Sequence, residues 1–483
     1  MIDLRPAGYL AGWLVAVLGG CMLVPIIVDL AHGHTNNAQE FAASAILTIV
    51  VGASTAFACA SSRTRRIGVQ ESFLLATVVW AVFPFFGALP LMLGDPHASF
   101  TDAFFEAMSA LTTTGATVFT GLDELPPGVL LWRGMLQWFG GLGIIVVAMV
   151  FLPTLRVGGM QIFKSEAFDT MGKMLPRAAS IAISLTTIYG LLTFFCFTAY
   201  VVTGMQAFDA LVHSLTTIST GGMATTDASF GAYGAGTHYV SVVFMILAAL
   251  PFIRFLQIAN GASGPFFRDT QIHGFLLVIA VYTLALTLYY AVSAGHGFEP
   301  AFREVLFNVT SIATGTGYAS ADYGTWGPLA VTLFFTLGLI GGCSGSTACS
   351  VKVFRYQLLL SAIAAEIRRI HSPNRMFTAR YAGRRVSEDV MSSVMAFFMF
   401  FYLTLAIVAV LLILVGLEPV TAISGAASAI ANIGPGLGPE IGPAGSFAEL
   451  PDIAKWILAV AMLLGRLELL SVFVLFTPVF WRG

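Results

Sequence analysis

Charge is what this chain has least of. Only 10% of its 483 residues are charged, 25 acidic and 23 basic, while 57% are hydrophobic. Mean hydropathy is +0.86. That excludes a soluble domain, in which about a quarter of the residues are charged. Apolar runs of about 20 residues recur, as helices that cross a bilayer need. A formal net charge of −2 points to no nucleic-acid or other polyanionic partner. Cysteine is scarce too. Cys21, Cys59, Cys196, Cys343 and Cys349 contain no CxxC pair and build no bridge framework, so they read as small packing residues. No GxxxxGK(S/T) phosphate loop occurs, so nucleotide hydrolysis by this chain is not expected, nor is a bound organic cofactor. The start, MIDLRPAGYLAGW, lacks a small-residue cleavage site, so the first apolar segment reads as a retained helix.

Ten spanning helices are expected, roughly at 9–31, 40–60, 71–94, 129–152, 180–203, 238–259, 271–294, 327–350, 389–415 and 453–480. His32 and His34 sit in the polar loop of the first hairpin and read as solvated rather than as metal ligands. Basic residues test the topology. With both termini cytoplasmic, the inner loops and helix ends hold Arg5, Arg63, Arg65, Arg66, Arg156, Lys164, Lys173, Arg177, Arg254, Arg268, Lys352, Arg355, Arg368, Arg369, Arg375, Arg380, Arg384, Arg385 and Arg482, which is 19 of 23. Only Arg133, Arg303, Lys455 and Arg466 fall elsewhere.

Against these absences, one small motif is stated four times. Leu111-Thr112-Thr113-Thr114-Gly115 is followed by Ile218-Ser219-Thr220-Gly221-Gly222, Ile312-Ala313-Thr314-Gly315-Thr316 and Ile430-Ala431-Asn432-Ile433-Gly434. Taken at Thr113, Thr220, Thr314 and Asn432, the spacings are 107, 94 and 118 residues. Each copy closes an apolar run of about ten residues, too short to span. The runs open with helix-start signals: Asp102-Ala103, Asp209-Ala210, Gly297-Phe298-Glu299-Pro300 and Gly416-Leu417-Glu418-Pro419. The implied unit is a long helix, a half-length helix, a small-residue loop and a second long helix.

Backbone at membrane depth must be hydrogen-bonded unless it lines a wet cavity. Four loops of Thr, Gly and Asn at that depth therefore imply one cavity lined by carbonyls, each at the partly negative end of a half-helix. That is a cation site. None of the four stretches holds a carboxylate, which favours a monovalent ion over a divalent one. The bland alternative, small residues that merely let helices pack closely, explains one such loop better than four in register.

The four units and the N-terminal hairpin resemble the Trk/Ktr/HKT superfamily of potassium transporters over essentially the whole chain. The hairpin and the terminal Gly465-Arg466-Leu467-Glu468-Leu469-Leu470 resemble its bacterial TrkH branch. The resemblance implies K⁺ as the transported ion and a selectivity filter at Thr113, Thr114, Gly115, Thr220, Gly221, Gly222, Thr314, Gly315, Asn432, Ile433 and Gly434. In the third copy Thr316, not Gly, aligns with Gly115, and Gly315 and Gly317 flank it, so the register there is open by one residue. The resemblance also implies a homodimer in the bacterial inner membrane and a cytosolic TrkA-like subunit that binds nucleotide. Passive passage and symport with protons or sodium are both compatible with these residues.

Two features lie below the filter in sequence terms. The run Gly338 to Thr347 cannot be a comfortable helix interior. It reads as a kink or as an intramembrane loop, and the resemblance implies a gate at Gly341, Gly342, Cys343, Ser344, Gly345 and Ser346. Arg466 stands roughly 16 Å beyond Lys455 along the last helix, near mid-membrane. It is expected to face a cavity or an acidic partner, and the resemblance implies a gating charge. Gly342-Cys343-Ser344-Gly345 also fits the GxSG motif of an intramembrane serine protease, but no suitably placed His base is evident. The basic segment from Lys352 to Arg385 sets topology, contacts lipid headgroups and is long enough to dock a cytosolic protein. The expected architecture is all-α and polytopic: a hairpin at 1–68, then pore units at 69–160, 161–268, 269–386 and 387–483.

Overall fold

The structure, a computed structural model, describes residues 4–62, 68–150, 159, 178–294, 297–372, 374–375 and 377–482. Arg63, Arg65, Arg66, Arg156, Lys164, Lys173 and Arg177 lie outside the described residues. Helices dominate. They are α1 (Arg5–Cys21), α2 (Leu23–Ala31), α3 (Thr35–Ala58), α4 (Val69–Leu93), α5 (Phe100–Leu111), α6 (Pro127–Val150), α7 (Ala178–Val202), α8 (Ala207–Ile218), α9 (Ala235–Ala249) and α10 (Phe252–Ala259). The second half holds α11 (Thr270–Ala294), α12 (Phe298–Thr314), α13 (Pro328–Gly338), α14 (Val353–His371), α15 (Glu388–Leu414), α16 (Pro419–Ala431) and α17 (Asp452–Arg466). Val202, Val292 and Leu414 are 85%, 85% and 76% exposed, so the long helices turn apolar side chains outward. Water would penalise such a surface; acyl chains do not. The chain is an all-α, multi-pass membrane protein.

Three expected spans are not continuous helices. Among the described residues seven helices are long and apolar enough to cross a membrane, or nine if two bent pairs each count as one span. The expected helix 238–259 is bent by 91° between α9 and α10. Pro251, the residue before α10, has no N–H to continue the ladder. The expected helix 453–480 is bent by 99° after Arg466, where Glu468 (φ 58°) and Leu469 (φ 45°) take left-handed dihedrals. The expected helix 327–350 stops at Gly338. Beyond it, Ile340–Gly341 pairs in parallel with Val351–Lys352 across a non-helical loop. A Cβ on Gly342 would stand 2.7 Å from Ala348 Cβ and 3.1 Å from the Ala249 carbonyl oxygen, so the loop packs closely on itself and on the broken end of α9.

The four half-helices α5, α8, α12 and α16 have 12, 12, 17 and 13 residues, the third clearly longer than the expected ten. Their start signals act locally as expected. Ser99 Oγ accepts the Asp102 N–H at 3.1 Å, and Pro419 occupies the first turn of α16.

The hairpin is tied to the first unit by a buried carboxylate. Asp29 accepts hydrogen bonds from Asn37 Nδ2 (2.6 Å) and from Gly128 N (2.7 Å), a free N–H in the first turn of α6. Within the hairpin, Gly12 of α1 and Gly52 of α3 bring backbone against backbone, since a Cβ on either would meet the other's carbonyl oxygen at 2.7 Å. Lys352 and Arg355 correct the charge assignment. They are 4% and 0% exposed, interior residues rather than part of a solvated basic face.

Candidate functional site

All four half-helices end in the same left-handed turn. One residue just past each helix end has positive φ: Thr113 (53°) and Thr220 (52°), two beyond the last helical residue, and Gly315 (73°) and Asn432 (51°), one beyond it. Its N–H bonds back three residues, to Ala110, Thr217, Ile312 and Ala429 oxygens at 3.0, 3.0, 3.0 and 3.3 Å. The next N–H bonds back five, from Thr114 to Ser109, Gly221 to Thr216, Thr316 to Ser311 and Ile433 to Ser428, at 2.9, 2.8, 2.9 and 3.1 Å. β-Branched Thr113 and Thr220 are costly in this region, by about 1–2 kcal/mol each. Strain of that kind persists where the surroundings enforce it.

These bonds settle the register of the third loop. Gly315, not Thr314, occupies the place of Thr113, and Gly317 occupies that of Gly115. Side chains agree: Thr112 Oγ1 to Thr114 Oγ1 (2.8 Å) is matched by Thr314 Oγ1 to Thr316 Oγ1 (2.7 Å). Thr314 is therefore the last residue of α12, and the loop residues are Gly315, Thr316 and Gly317. Identity matching of Thr with Thr put the expectation one residue early.

The four loops close into a ring. A Cβ built on Gly115 would strike the Gly221 carbonyl oxygen, one on Gly222 that of Thr316, and one on Gly317 that of Ile433. One on Gly434 would lie 2.8 Å from the Thr114 carbonyl oxygen, which returns to the first loop. Each loop's glycine thus abuts the preceding-position carbonyl of the next loop, in cyclic order. Among the described residues the carbonyl oxygens of Thr114, Thr316 and Ile433 accept no hydrogen bond. The same four glycines line a cavity of about 190 Å³, which Thr117, Thr120, Arg133 and Asp227 help to wall. Sequence reasoning thus located the loops and the absence of carboxylates within them.

The family model for TrkH, described as a cation transport protein, matches residues 37–482. The chain belongs to the TrkH family. It is 43% identical to the Trk system potassium uptake protein TrkI of Halomonas elongata over 476 residues, 97% of this chain and 95% of that one. It is 36% identical to the Trk system potassium uptake protein TrkH of Vibrio parahaemolyticus over 486 residues, 98% of each. The crystal structure of the potassium transporter TrkH from Vibrio parahaemolyticus superimposes with a TM-score of 0.91 at 34% identity, over 100% of both chains.

In this TrkH-family chain the non-helical loop is fastened to the broken helix. Cys343 N and Thr347 N donate to the Ala249 and Ala248 oxygens at 3.0 and 3.3 Å, and Phe252 N donates to Gly345 O at 2.9 Å. Gln271 Oε1 accepts from Ser344 N at 2.8 Å. Two interrupted helices therefore satisfy each other's backbone groups, as a membrane interior requires. Arg466, 1% exposed, has no acidic partner among the described residues. Its Nη1 donates to Thr347 O (3.3 Å) and lies 2.6 Å from Cys349 Sγ, and its Nη2 donates to Gly140 O (3.0 Å). Its guanidinium carbon sits 5.5 Å from the Trp80 ring centre. The loop and Arg466, assigned separately from sequence, are in contact. Glu468 instead forms a buried ion pair with Arg355, whose guanidinium lies over the Phe397 ring at 3.6 Å.

Three of the four basic residues outside the inner set meet an acid of a half-helix. Arg133 pairs with Glu106 (2.7 Å), Lys455 with Asp102 (2.6 Å) and Arg303 with Glu299 (3.6 Å). Glu106 also accepts from Thr117 Oγ1 and Val118 N, both at 2.9 Å, directly behind the first loop. Sequence reasoning missed this pair, although an acid within a short apolar run and a stray Arg were visible signals. The protease alternative is not supported: the relatives are named as potassium uptake proteins. His213 is buried in α8, with Nδ1 2.8 Å from its own Asp209 carbonyl oxygen and its ring against Phe230 and Tyr233. No group of three His, Cys, Asp or Glu side chains able to hold a metal occurs among the described residues.

Proposed function

We propose that this protein takes up potassium across a bacterial inner membrane, with both termini cytoplasmic, and that K⁺ loses its water at the ring. The closed cycle of Gly115, Gly222, Gly317 and Gly434 against the carbonyls of Gly221, Thr316, Ile433 and Thr114 carries this reading. Carbonyl dipoles without carboxylates suit an ion that must shed water and leave again. The filter comprises Thr113, Thr114, Gly115, Thr220, Gly221, Gly222, Gly315, Thr316, Gly317, Asn432, Ile433 and Gly434.

Beneath it, the loop Gly341 to Ser346 and Arg466 form the gate. A buried guanidinium with no acidic partner among the described residues repels a cation, and its bonds to Thr347 and Cys349 join that barrier to the loop. A homodimer and a cytosolic TrkA-like, nucleotide-binding subunit complete the reading, on the strength of the family resemblance.

The test is uptake of ⁸⁶Rb⁺ into liposomes bearing the purified protein, with excess K⁺ or Na⁺ as competitor. K⁺ should compete and Na⁺ should not, and Gly434→Ser should lose that discrimination. Absence of Rb⁺ movement, even with the cytosolic subunit present, would sink the reading.

A further inference from the structure

The ring is fourfold in backbone but not in what surrounds it. At the carbonyl-bearing position the first, third and fourth loops carry Thr114, Thr316 and Ile433, and the second carries Gly221. A Cβ on Gly221 would overlap the carboxamide of Gln137, a wholly buried residue of α6. Gln137 Nε2 donates to the Gly221 carbonyl oxygen at 2.6 Å, and its Oε1 accepts from Met223 N at 3.1 Å. The opposite amide orientation would set oxygen against oxygen and N–H against N–H, so this one is fixed by chemistry.

Why Gln137 reaches the loop is also visible. The next turn of α6 presents Gly140 and Gly141, on which a Cβ would collide with the Leu111 carbonyl and with Ser219. α6 is thereby wedged between the ends of α5 and α8. One turn the other way, Arg133 Nη1 donates to the Ala224 oxygen at 3.2 Å. A single face of α6 grips the second loop at Gly221, Met223 and Ala224.

We propose that Gln137 is a positioning residue for ion discrimination: it holds one of the four ring carbonyls in place and draws on its dipole. This rests on the ring being the filter. A carbonyl tethered from outside cannot follow a smaller ion inward, and an oxygen that already accepts an N–H offers a weaker field. Sodium needs the closer and stronger ligands, so both effects favour potassium. Among the described residues three of the four ring carbonyl oxygens accept no hydrogen bond and the fourth is engaged.

The test compares competition by K⁺ and Na⁺ against ⁸⁶Rb⁺ uptake for the full-length protein in liposomes. The readout is a ratio, so a lower yield of folded protein affects both arms alike. Gln137→Met, close in volume but without the amide, should lower the K⁺-over-Na⁺ preference on the order of five- to tenfold, the worth of one buried hydrogen bond. Gln137→Ala should do the same. Gln137→Ala combined with Gly221→Thr refills the space with the side chain that the first and third loops carry but leaves the carbonyl without its N–H partner, so it should not recover the lost preference. Recovery in the double variant would assign Gln137 to filling space and overturn this proposal. Wild-type preference in Gln137→Met beside a loss in Gly434→Ser overturns this proposal and leaves the filter reading standing. Wild-type preference in both overturns the filter reading, and this proposal with it.

Discussion

Asn432 Nδ2 donates to Thr114 Oγ1 at 2.9 Å, joining residues 318 positions apart and locking the last loop of the ring to the first. The same amide donates to Met462 O at 2.9 Å, so the seam is also anchored to α17. On another seam the Tyr318 hydroxyl, from the third loop, bonds Thr216 and Thr217 of α8.

Asn432 does two separable jobs. It tolerates left-handed backbone and it braces Thr114. Asn432→Gly keeps the first and loses the second, and Asn432→Leu loses both. Thermal unfolding in detergent should rank wild type above Asn432→Gly above Asn432→Leu, with the last step about 1–2 kcal/mol. Equal loss in the two variants would mean that the brace alone matters.

The four ring glycines should not tolerate a methyl group equally. A Cβ at Gly434 has 2.8 Å to its neighbouring carbonyl, the most room of the four, and one at Gly222 has the least. Rb⁺ uptake should therefore fall further in Gly222→Ala than in Gly434→Ala. The reverse order would show that the loops rearrange rather than clash.

Removing the charge of Arg466 should open the path below the ring. Arg466→Ala and Arg466→Gln are expected to raise Rb⁺ flux without the cytosolic subunit on the order of tenfold, about the effect of 1.4 kcal/mol on a barrier. Arg466→Lys keeps the charge and loses the bonds to Thr347 and Gly140, so it should fall between. Unchanged or reduced flux in all three would assign Arg466 to packing.

Glu468→Gln should destabilise the protein by about 3–5 kcal/mol, because it leaves the Arg355 charge buried beside a neutral amide. Replacing both partners, Arg355→Met with Glu468→Met, should cost less than Glu468→Gln alone. Midpoints of thermal unfolding in detergent decide this. If the double variant is the worse, the pair holds the bend after Arg466 by more than its charge balance.

Much of the architecture was legible because it is encoded locally. Bilayer thickness sets the length of an apolar helix, so composition and run length fixed a multi-pass fold. Gly-acid-Pro starts and Gly-rich ends marked α12 and α16. The breaks at Pro251 and at Glu468–Leu469 were less legible. An apolar run reads the same whether straight or bent, and Pro alone is common in membrane helices. The third loop was misplaced by one residue because Gly315 takes the left-handed position that Thr or Asn takes elsewhere, and backbone conformation, not side-chain identity, defines the position.

The sequence by itself determined that this chain lives in a membrane, states one small motif four times and presents small uncharged residues where each short helix ends. Those properties follow from hydropathy, periodicity and the conformational range of Gly, which act within a few turns of chain. Only the tertiary structure decided which carbonyl meets which glycine, that Arg466 binds the loop while Glu468 binds Arg355, and that Gln137 hydrogen-bonds the Gly221 carbonyl. Each of these joins residues far apart in the chain through hydrogen bonds about 3 Å long, and no local pattern specifies contacts at that range.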